Sequence, residues 1–276
     1  VVTKNKYQSL MDHISSGQAW DLSRKQTGLV FLPPYGGDDA QYDGRLSSLS
    51  TIEQFLRSAR EEYVLMSDCH MLGNIDYEPL VRQHIATGAD ITVAYRDGQA
   101  PAEIENLLLS VGADGALTDI RIQAGGEGCH GIGLYVVTKE RLLRFVQDAV
   151  SRHMCSFEQD VIQRLAGTIR LYGYAVPEEI TPITSLASYF RANMMLLDRT
   201  ARRQLFRPDR AIYTKVRDCA PALYGLHADA RHSLVADGAV IDGRVRNSII
   251  FRDVKVERNA VVEDCILMQG TVIMSN

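Results

Sequence analysis

An α/β domain followed by a left-handed parallel β-helix is the fold this sequence predicts, on three observations. Short apolar runs alternate with helix-period segments from residue 1 to about 200, a pattern that places a largely parallel sheet between layers of helices. From about residue 233 aliphatic side chains recur at intervals of mostly six. The chain has 276 residues and 46% hydrophobic content, enough to bury a sizeable core, so disorder is set aside.

In the first part the strand candidates are Gly28–Leu32, Tyr63–Ser67, Ile91–Tyr95, Gly133–Val137 and Ile169–Tyr174. Between them, Ile52–Arg60, Tyr77–Thr87, Lys139–Val150 and Phe157–Leu165 carry apolar residues three and four apart, the period of helices that cover a sheet. A further helix, Ser185–Arg199, closes this domain, and its Met and Leu stripe reads as core. Residues 201–232, with Pro208, Pro221 and several charges, show no period and read as a linker.

The third part, residues 233–276, places aliphatic residues at Val235, Ile241, Ile250, Val256, Val262, Leu267 and Ile273. Each of the first six is followed four positions later by a small or apolar residue: Ala239, Val245, Val254, Ala260, Ile266 and Thr271. This is the hexapeptide signature of a parallel β-helix, in which three units make one turn and the aliphatic residues stack inward. An antiparallel meander is the competing reading. Asp-Gly at 237–238 and 242–243 would serve hairpin turns, but the pairs lie five positions apart, close to the hexapeptide interval, and fit β-helix corners equally well.

Charge and composition exclude several function classes. Lys and Arg total 30 against 34 Asp and Glu, and a net charge of −4 offers no general attraction to nucleic acid. Five scattered cysteines, never in C-x-x-C spacing, read as free thiols of a reducing compartment, so a cytoplasmic location is expected. No apolar run approaches the roughly 18 to 20 residues that span a bilayer, so no membrane partner is expected. Val1-Val2-Thr3-Lys4 reads as the end of a buried strand and Val272-Ile273-Met274 as the middle of a repeat, which points to a longer protein.

Gly126-Glu-Gly128-Cys-His-Gly131 is formally G-x-G-x-x-G. A dinucleotide loop must open a helix, whereas this segment runs into the strand-like Leu134-Tyr-Val-Val137, so a loop entering a strand is the better reading. The informative polar residue is Asp68, which follows the apolar run Tyr63-Val-Leu-Met-Ser67. Ligands of open α/β sheets bind at that end of the strands, where an acid can coordinate a divalent metal between phosphates; the bland alternative is a turn cap.

Several collinear segments resemble one family. They are Val64-Leu-Met-Ser-Asp-Cys-His70, Ile75-Asp-Tyr77, His84 and Ala89-Asp-Ile-Thr-Val-Ala94, then Gly131-Ile-Gly-Leu-Tyr-Val136 and Ser156-Phe-Glu-Gln-Asp160-Val-Ile, and finally Ser188-Tyr-Phe-Arg-Ala-Asn193 and Ala220-Pro-Ala222. Together they resemble glucose-1-phosphate adenylyltransferase (ADP-glucose pyrophosphorylase). The opening, Val2 to Ile14 followed by Gly17, Trp20-Asp21-Leu22 and Leu29-Val-Phe-Leu-Pro-Pro34, resembles its GlgD branch.

That resemblance implies a Rossmann-like nucleotidyltransferase (nucleotide-diphospho-sugar transferase) domain with a mostly parallel sheet. It also implies a role in glycogen biosynthesis, Mg²⁺ for the family reaction with none tightly bound here, and assembly with a homologous catalytic subunit, or as a homo-oligomer when alone. It marks Asp68 as a catalytic and metal position, and Gly44, His70 and Gly133 as substrate-binding positions. Three departures bear on activity. The family's Gly-rich loop is expected before residue 1. Registering Tyr189 and Asn193 on the family pattern puts Pro182 where the second metal aspartate belongs, and proline has no carboxylate. Near Asp119-Ile-Arg-Ile-Gln-Ala124 the family's Glu-Lys-Pro is missing; Arg121 is the nearest cation and reads as an exposed strand residue. In catalytic relatives Gly-Thr-Ala-Asp-Ala stands where this chain has Asp43-Gly44-Arg45-Leu-Ser-Ser-Leu49.

Phosphoryl-type transfer leans on metal and cationic charge, so these losses point to a non-catalytic regulatory subunit. Two other readings stand beside it. One is an active nucleotidyltransferase whose Asp68 is joined by Glu178 or Glu179. The other is a hexapeptide acyltransferase, for which His232 at the edge of the repeats is the available base.

Overall fold

A computed structural model of the protein describes residues 1–2, 7–24, 28–32, 44–214 and 218–275. Parts of the opening motif and Asp43 lie outside the described residues. The chain divides into two compact units, one of Val1–Met71, Ile75–Glu178 and Tyr213–Lys215, the other of Leu72–Asn74, Glu179–Ile212 and Val216–Asn276.

The elements of the sheet region are, in order, α1 (Gln8–Ile14), α2 (Arg45–Thr51), α3 (Glu53–Ser58), β1 (Tyr63–Ser67), β2 (Met71–Leu72), α4 (Tyr77–Thr87), β3 (Ile91–Gln99), β4 (Glu105–Val111), β5 (Leu117–Ala124), β6 (Glu127–Thr138), α5 (Lys139–Arg152) and β7 (Leu171–Ala175). A six-residue π-helical turn, Glu158–Gln163, replaces the helix expected over 157–165. The sheet order is β5-β4-β6-β3-β7, with β1 also paired to β6.

The α/β class is as expected, but the pairing differs in detail. Strands β1, β3, β4 and β7 point one way, yet among the described strands of this sheet only β3 and β7 are parallel neighbours. Residues 100–126 hold the antiparallel pair β4–β5 where a crossover helix would be needed. Strand β6 therefore starts at Glu127 opposite Gln99, and a chain that returns without a crossover pairs antiparallel. Of the Gly28–Leu32 candidate, the described structure holds one bridge, Leu32 to Val2.

Local chemistry sets the helix ends. Asp76 caps α4 by accepting from the Glu78 amide at 3.1 Å, and Gly88 ends it in the left-handed region. Helix α5 buries Leu142, Phe145, Val146 and Ala149, the i, i+3, i+4, i+7 stripe of a helix lying on a sheet. The core beneath gathers Leu46, Ile91, Val93, Tyr135, Val137, Phe157 and Ile162.

In the second unit β8 (Thr181–Pro182) precedes α6 (Leu186–Met195) and α7 (Arg199–Leu205). Ser185 and Ser188 form a reciprocal capping box at the start of α6. The single helix expected to Arg199 is broken because the Asp198 carboxylate accepts from the Thr200 and Ala201 amides, at 2.8 and 2.9 Å, and so starts α7 afresh.

Ten short strands then wind the coil: β9 (Leu223–Tyr224), β10 (Asp229–Arg231), β11 (Leu234–Val235), β12 (Val240–Ile241), β13 (Arg244–Arg246), β14 (Ile249–Ile250), β15 (Lys255–Val256), β16 (Val261–Glu263), β17 (Ile266–Leu267) and β18 (Val272–Ile273). They form three parallel faces, β9-β12-β15-β18, β10-β13-β16 and β11-β14-β17. No antiparallel meander is present among them, and Ala239, Ile241, Val245, Ile250, Val254, Val256, Ala260 and Val262 fill the interior as their spacing predicts. Asp229 pairs with Arg244 and Arg244 with Val261, so successive coils take 15 and 17 residues, fewer than three full hexapeptides.

The corners explain how such coils close. His232, Asn247 and Asp264 stack at one corner, all with φ between 44° and 51°, where short polar side chains are tolerated and β-branched ones are not. His232 Nδ1 lies 2.9 Å from Asn247 Oδ1, and Asn247 Nδ2 donates to Asp264. Beside them Ser233 Oγ accepts from the Ser248 amide, and Ser248 Oγ from the Cys265 amide, each at 3.1 Å. Replacing Asn247 by Val should lower unfolding stability by about 1–3 kcal/mol, with Asn247→Gly costing less; urea titrations of the three proteins measure the difference.

His84 on α4 is 1% exposed, with Nδ1 2.8 Å from Thr92 Oγ1. Burial lowers its pKa below the ordinary imidazole value, against the opposing charge of Asp90. The folded state thus keeps His84 neutral while the unfolded chain takes up a proton below about pH 6.5. Its contribution to stability is complete above that pH and is lost as pH falls through the lower folded value. The urea midpoint should therefore drop between pH 7.5 and 5.5, and His84→Gln should flatten that slope.

Candidate functional site

Asp68 follows β1 directly, and its amide donates to the Gly133 carbonyl at 3.0 Å, which ties the turn to β6. Gly133 has φ +69°, and a Cβ there would fall 2.2 Å from Asp68 Oδ2. Any side chain at 133 would displace the carboxylate, so this glycine is required by close approach as well as by backbone angle. Gly44, at the start of α2, meets the same kind of limit, since a Cβ would lie 2.3 Å from the Cys155 carbonyl oxygen.

That contact fixes Arg45. The Leu46 amide donates to the same Cys155 carbonyl at 3.0 Å, and Asp160 Oδ2 accepts from the Cys155 and Ser156 amides at 3.0 Å each. The 155–160 turn and the start of α2 are therefore held as one piece. From it Arg45 reaches Asp68, its Nη2 lying 2.9 Å from both carboxylate oxygens, while its Nε donates to Glu158 Oε1 at 3.1 Å.

The guanidinium also lies 5.0 Å from the centre of the Tyr135 ring. Tyr135 is 2% exposed, packs edge-on against Phe157, and donates its hydroxyl to Glu158 Oε1 at 3.1 Å. Burial, reinforced by Glu158, pushes the Tyr135 phenol well above its ordinary range, so it remains a donor. Burial works against the Arg45 charge, but Glu158 and Asp68 outweigh it and raise its pKa.

These groups lie in a cleft of about 890 Å³. Leu49, Ile52, Phe55, Met66, Leu107 and Ile122 give it apolar walls, and Ser67, His70 and Asn106 add polar points. A pocket of this kind, mostly apolar with a few converging polar groups, suits a small organic ligand. His70, named as a substrate-binding position, lines the cleft, and its Nε2 is buried without a hydrogen-bond partner among the described residues.

Other positions singled out in the sequence have plain roles. Pro182 ends β8 in the second unit. Glu178 Oε1 accepts from the Asp76 amide at 3.2 Å, and Glu178 is absent from the cleft lining. Residues 127–131 of the glycine-rich segment already belong to β6. Arg121 is exposed beside Asp119, 3.4 Å away. His232 is engaged at the coil corner described above.

A divalent ion does not fit the cleft as built. Both oxygens of Asp68 already face one guanidinium, and among the described residues no group of three His, Cys, Asp or Glu side chains is placed to hold a metal. Sequence reasoning named Asp68, Gly44 and Gly133 but passed over Arg45, Tyr135 and Glu158. The available signal was that Arg45 stands in the segment where catalytic relatives carry Gly-Thr-Ala-Asp-Ala; Glu158 lies in a segment that resembles the family and gave none.

Fold and site together define a nucleotidyltransferase-like α/β chain that continues into a left-handed β-helix. Residues 223–276 match the hexapeptide family described as GlmU-like, C-terminal hexapeptide. The chain is 32% identical to glycogen biosynthesis protein GlgD of Geobacillus stearothermophilus over 95% of its own length and 68% of that relative. It is 30% identical to the GlgD of Bacillus subtilis, over 93% of this chain and 66% of the relative. Glucose-1-phosphate adenylyltransferase of Fervidobacterium nodosum is 25% identical, over 99% of this chain and 71% of the enzyme. The chain belongs to the GlgD family, and it spans about two thirds of the length of these relatives.

Replacing Tyr135 by Phe removes the buried donor to Glu158 and should cost about 1–2 kcal/mol, read as a lower urea midpoint.

Proposed function

We propose that this protein is the non-catalytic, regulatory subunit of a glucose-1-phosphate adenylyltransferase of glycogen biosynthesis, the system that makes ADP-glucose and pyrophosphate from ATP and glucose 1-phosphate. Membership of the GlgD family supports the setting. The observation that carries the non-catalytic reading is the capture of Asp68 by Arg45, which takes the cleft's acidic group out of metal chemistry. A polyphosphate at that place would meet a cation already shared between two carboxylates, with little charge left to offer it.

In this reading residues 1–200 are the nucleotidyltransferase-like domain, and the stretch 201–232 read as a linker before the β-helix of 233–276 already holds the first coil strands, β9 and β10. The protein works in the cytoplasm with a homologous catalytic chain and forms a homo-oligomer alone. Mg²⁺ serves the partner's site. No helix of the described residues is long and apolar enough to cross a membrane.

The test is a pyrophosphate-release assay. The purified full-length protein, given ATP, Mg²⁺ and glucose 1-phosphate, should release no pyrophosphate above background. Added to a homologous catalytic subunit, it should change that subunit's rate or effector response. Robust turnover by the protein alone would refute the reading.

A further inference from the structure

The geometry points to Arg45 as a built-in cation that stands in for a divalent metal and bars metal from the cleft, masking a latent site made of Asp68 and Glu158. The inference rests on the non-catalytic reading given above and adds the residue that enforces it.

Three observations converge. One guanidinium contacts both oxygens of Asp68 and Oε1 of Glu158, so two carboxylates share a single positive charge as they would share a bound cation. The groups are partly buried, with side-chain exposures of 19%, 33% and 28% for Arg45, Asp68 and Glu158, so solvent screens them less than it would a surface pair. Arg45 is also fixed from behind. Its neighbour Leu46 is 0% exposed and bonded through its amide to Cys155, and the Tyr135 ring lies against the guanidinium, so the side chain has little freedom to swing away.

The charge balance gives the consequence. With Arg45 in place the cluster of Arg45, Asp68 and Glu158 carries a net −1; without it two carboxylates face one gap with −2. An added Mn²⁺ or Mg²⁺ must displace a tethered guanidinium in the first case and meets two open oxygen donors in the second. Tyr135 and Ser156 Oγ, 3.4 Å from Glu158 Oε2, remain to orient the glutamate when the arginine is gone.

The experiment titrates Mn²⁺ into the full-length protein and follows the free-ion signal by electron paramagnetic resonance. The unsubstituted protein should show no saturable binding up to about 1 mM. Arg45→Met, similar in reach but uncharged, should bind one equivalent at least about tenfold more tightly, and adding Asp68→Asn to it should abolish that binding. Glu158→Gln, which leaves Arg45 on Asp68, should bind none and provides a second test should Arg45→Met fail to unfold cooperatively.

Saturable Mn²⁺ binding by the unsubstituted protein that Asp68→Asn removes would overturn the inference. So would binding by Glu158→Gln, or a folded Arg45→Met that binds no better than the parent. The two readings fail separately: pyrophosphate release by the parent protein speaks to its catalytic status, and Mn²⁺ uptake by the variants speaks to Arg45.

Discussion

The cleft is organised around one guanidinium held between two carboxylates, over an aromatic ring. Arg45 is supplied by the start of α2, Asp68 by the end of β1, Tyr135 by β6 and Glu158 by the π-helical turn, so four separate segments meet at a single charge. Removing any one partner leaves a charge or a donor only partly compensated, and that mutual dependence fixes the geometry. A cation delivered by the chain itself is always present, whereas a metal must be acquired. The structural result is a cleft with the outline of a ligand site whose two carboxylates share one internal cation.

The backbone makes room for this cluster in two places. At Gly133 the strand β6 adopts a left-handed angle and yields the space that the Asp68 carboxylate occupies. At Gly44 the chain passes close under Cys155, and the Leu46 amide bonds to the same carbonyl. Both glycines were named from the family resemblance as ligand-binding positions. Their geometry here supports acidic and basic side chains, which is a different physical task. The π-helical winding over 158–163 belongs to the same arrangement, since wider turns of this kind occur where a helix must aim a particular side chain.

The β-helix obeys a separate constraint. Its interior is filled by small and branched aliphatics that the six-residue interval reveals at once. Coil length, however, is decided at the corners, where left-handed residues and stacked polar side chains turn the chain in fewer residues than three hexapeptides provide. Strands β9 and β10 join these ladders although their residues are exposed or polar, because backbone pairing to the next coil does not need an aliphatic side chain at each position.

By itself the sequence determined what periodicity and local chemistry can carry. Alternating elements, the α4 and α5 helices, the inward stack of the coil and the acid after β1 all follow from side-chain spacing and from caps such as Asp76, which act within a few residues. Strand direction around β6 was not legible, because it depends on the β4–β5 pair replacing a crossover. The partners of Asp68 were not legible either: Arg45 lies 23 positions away in the chain and Glu158 lies 113 positions from Arg45. Only the tertiary structure brings them together, since an electrostatic contact depends on distance in space, and one-dimensional spacing carries no information about which distant charges will share a pocket.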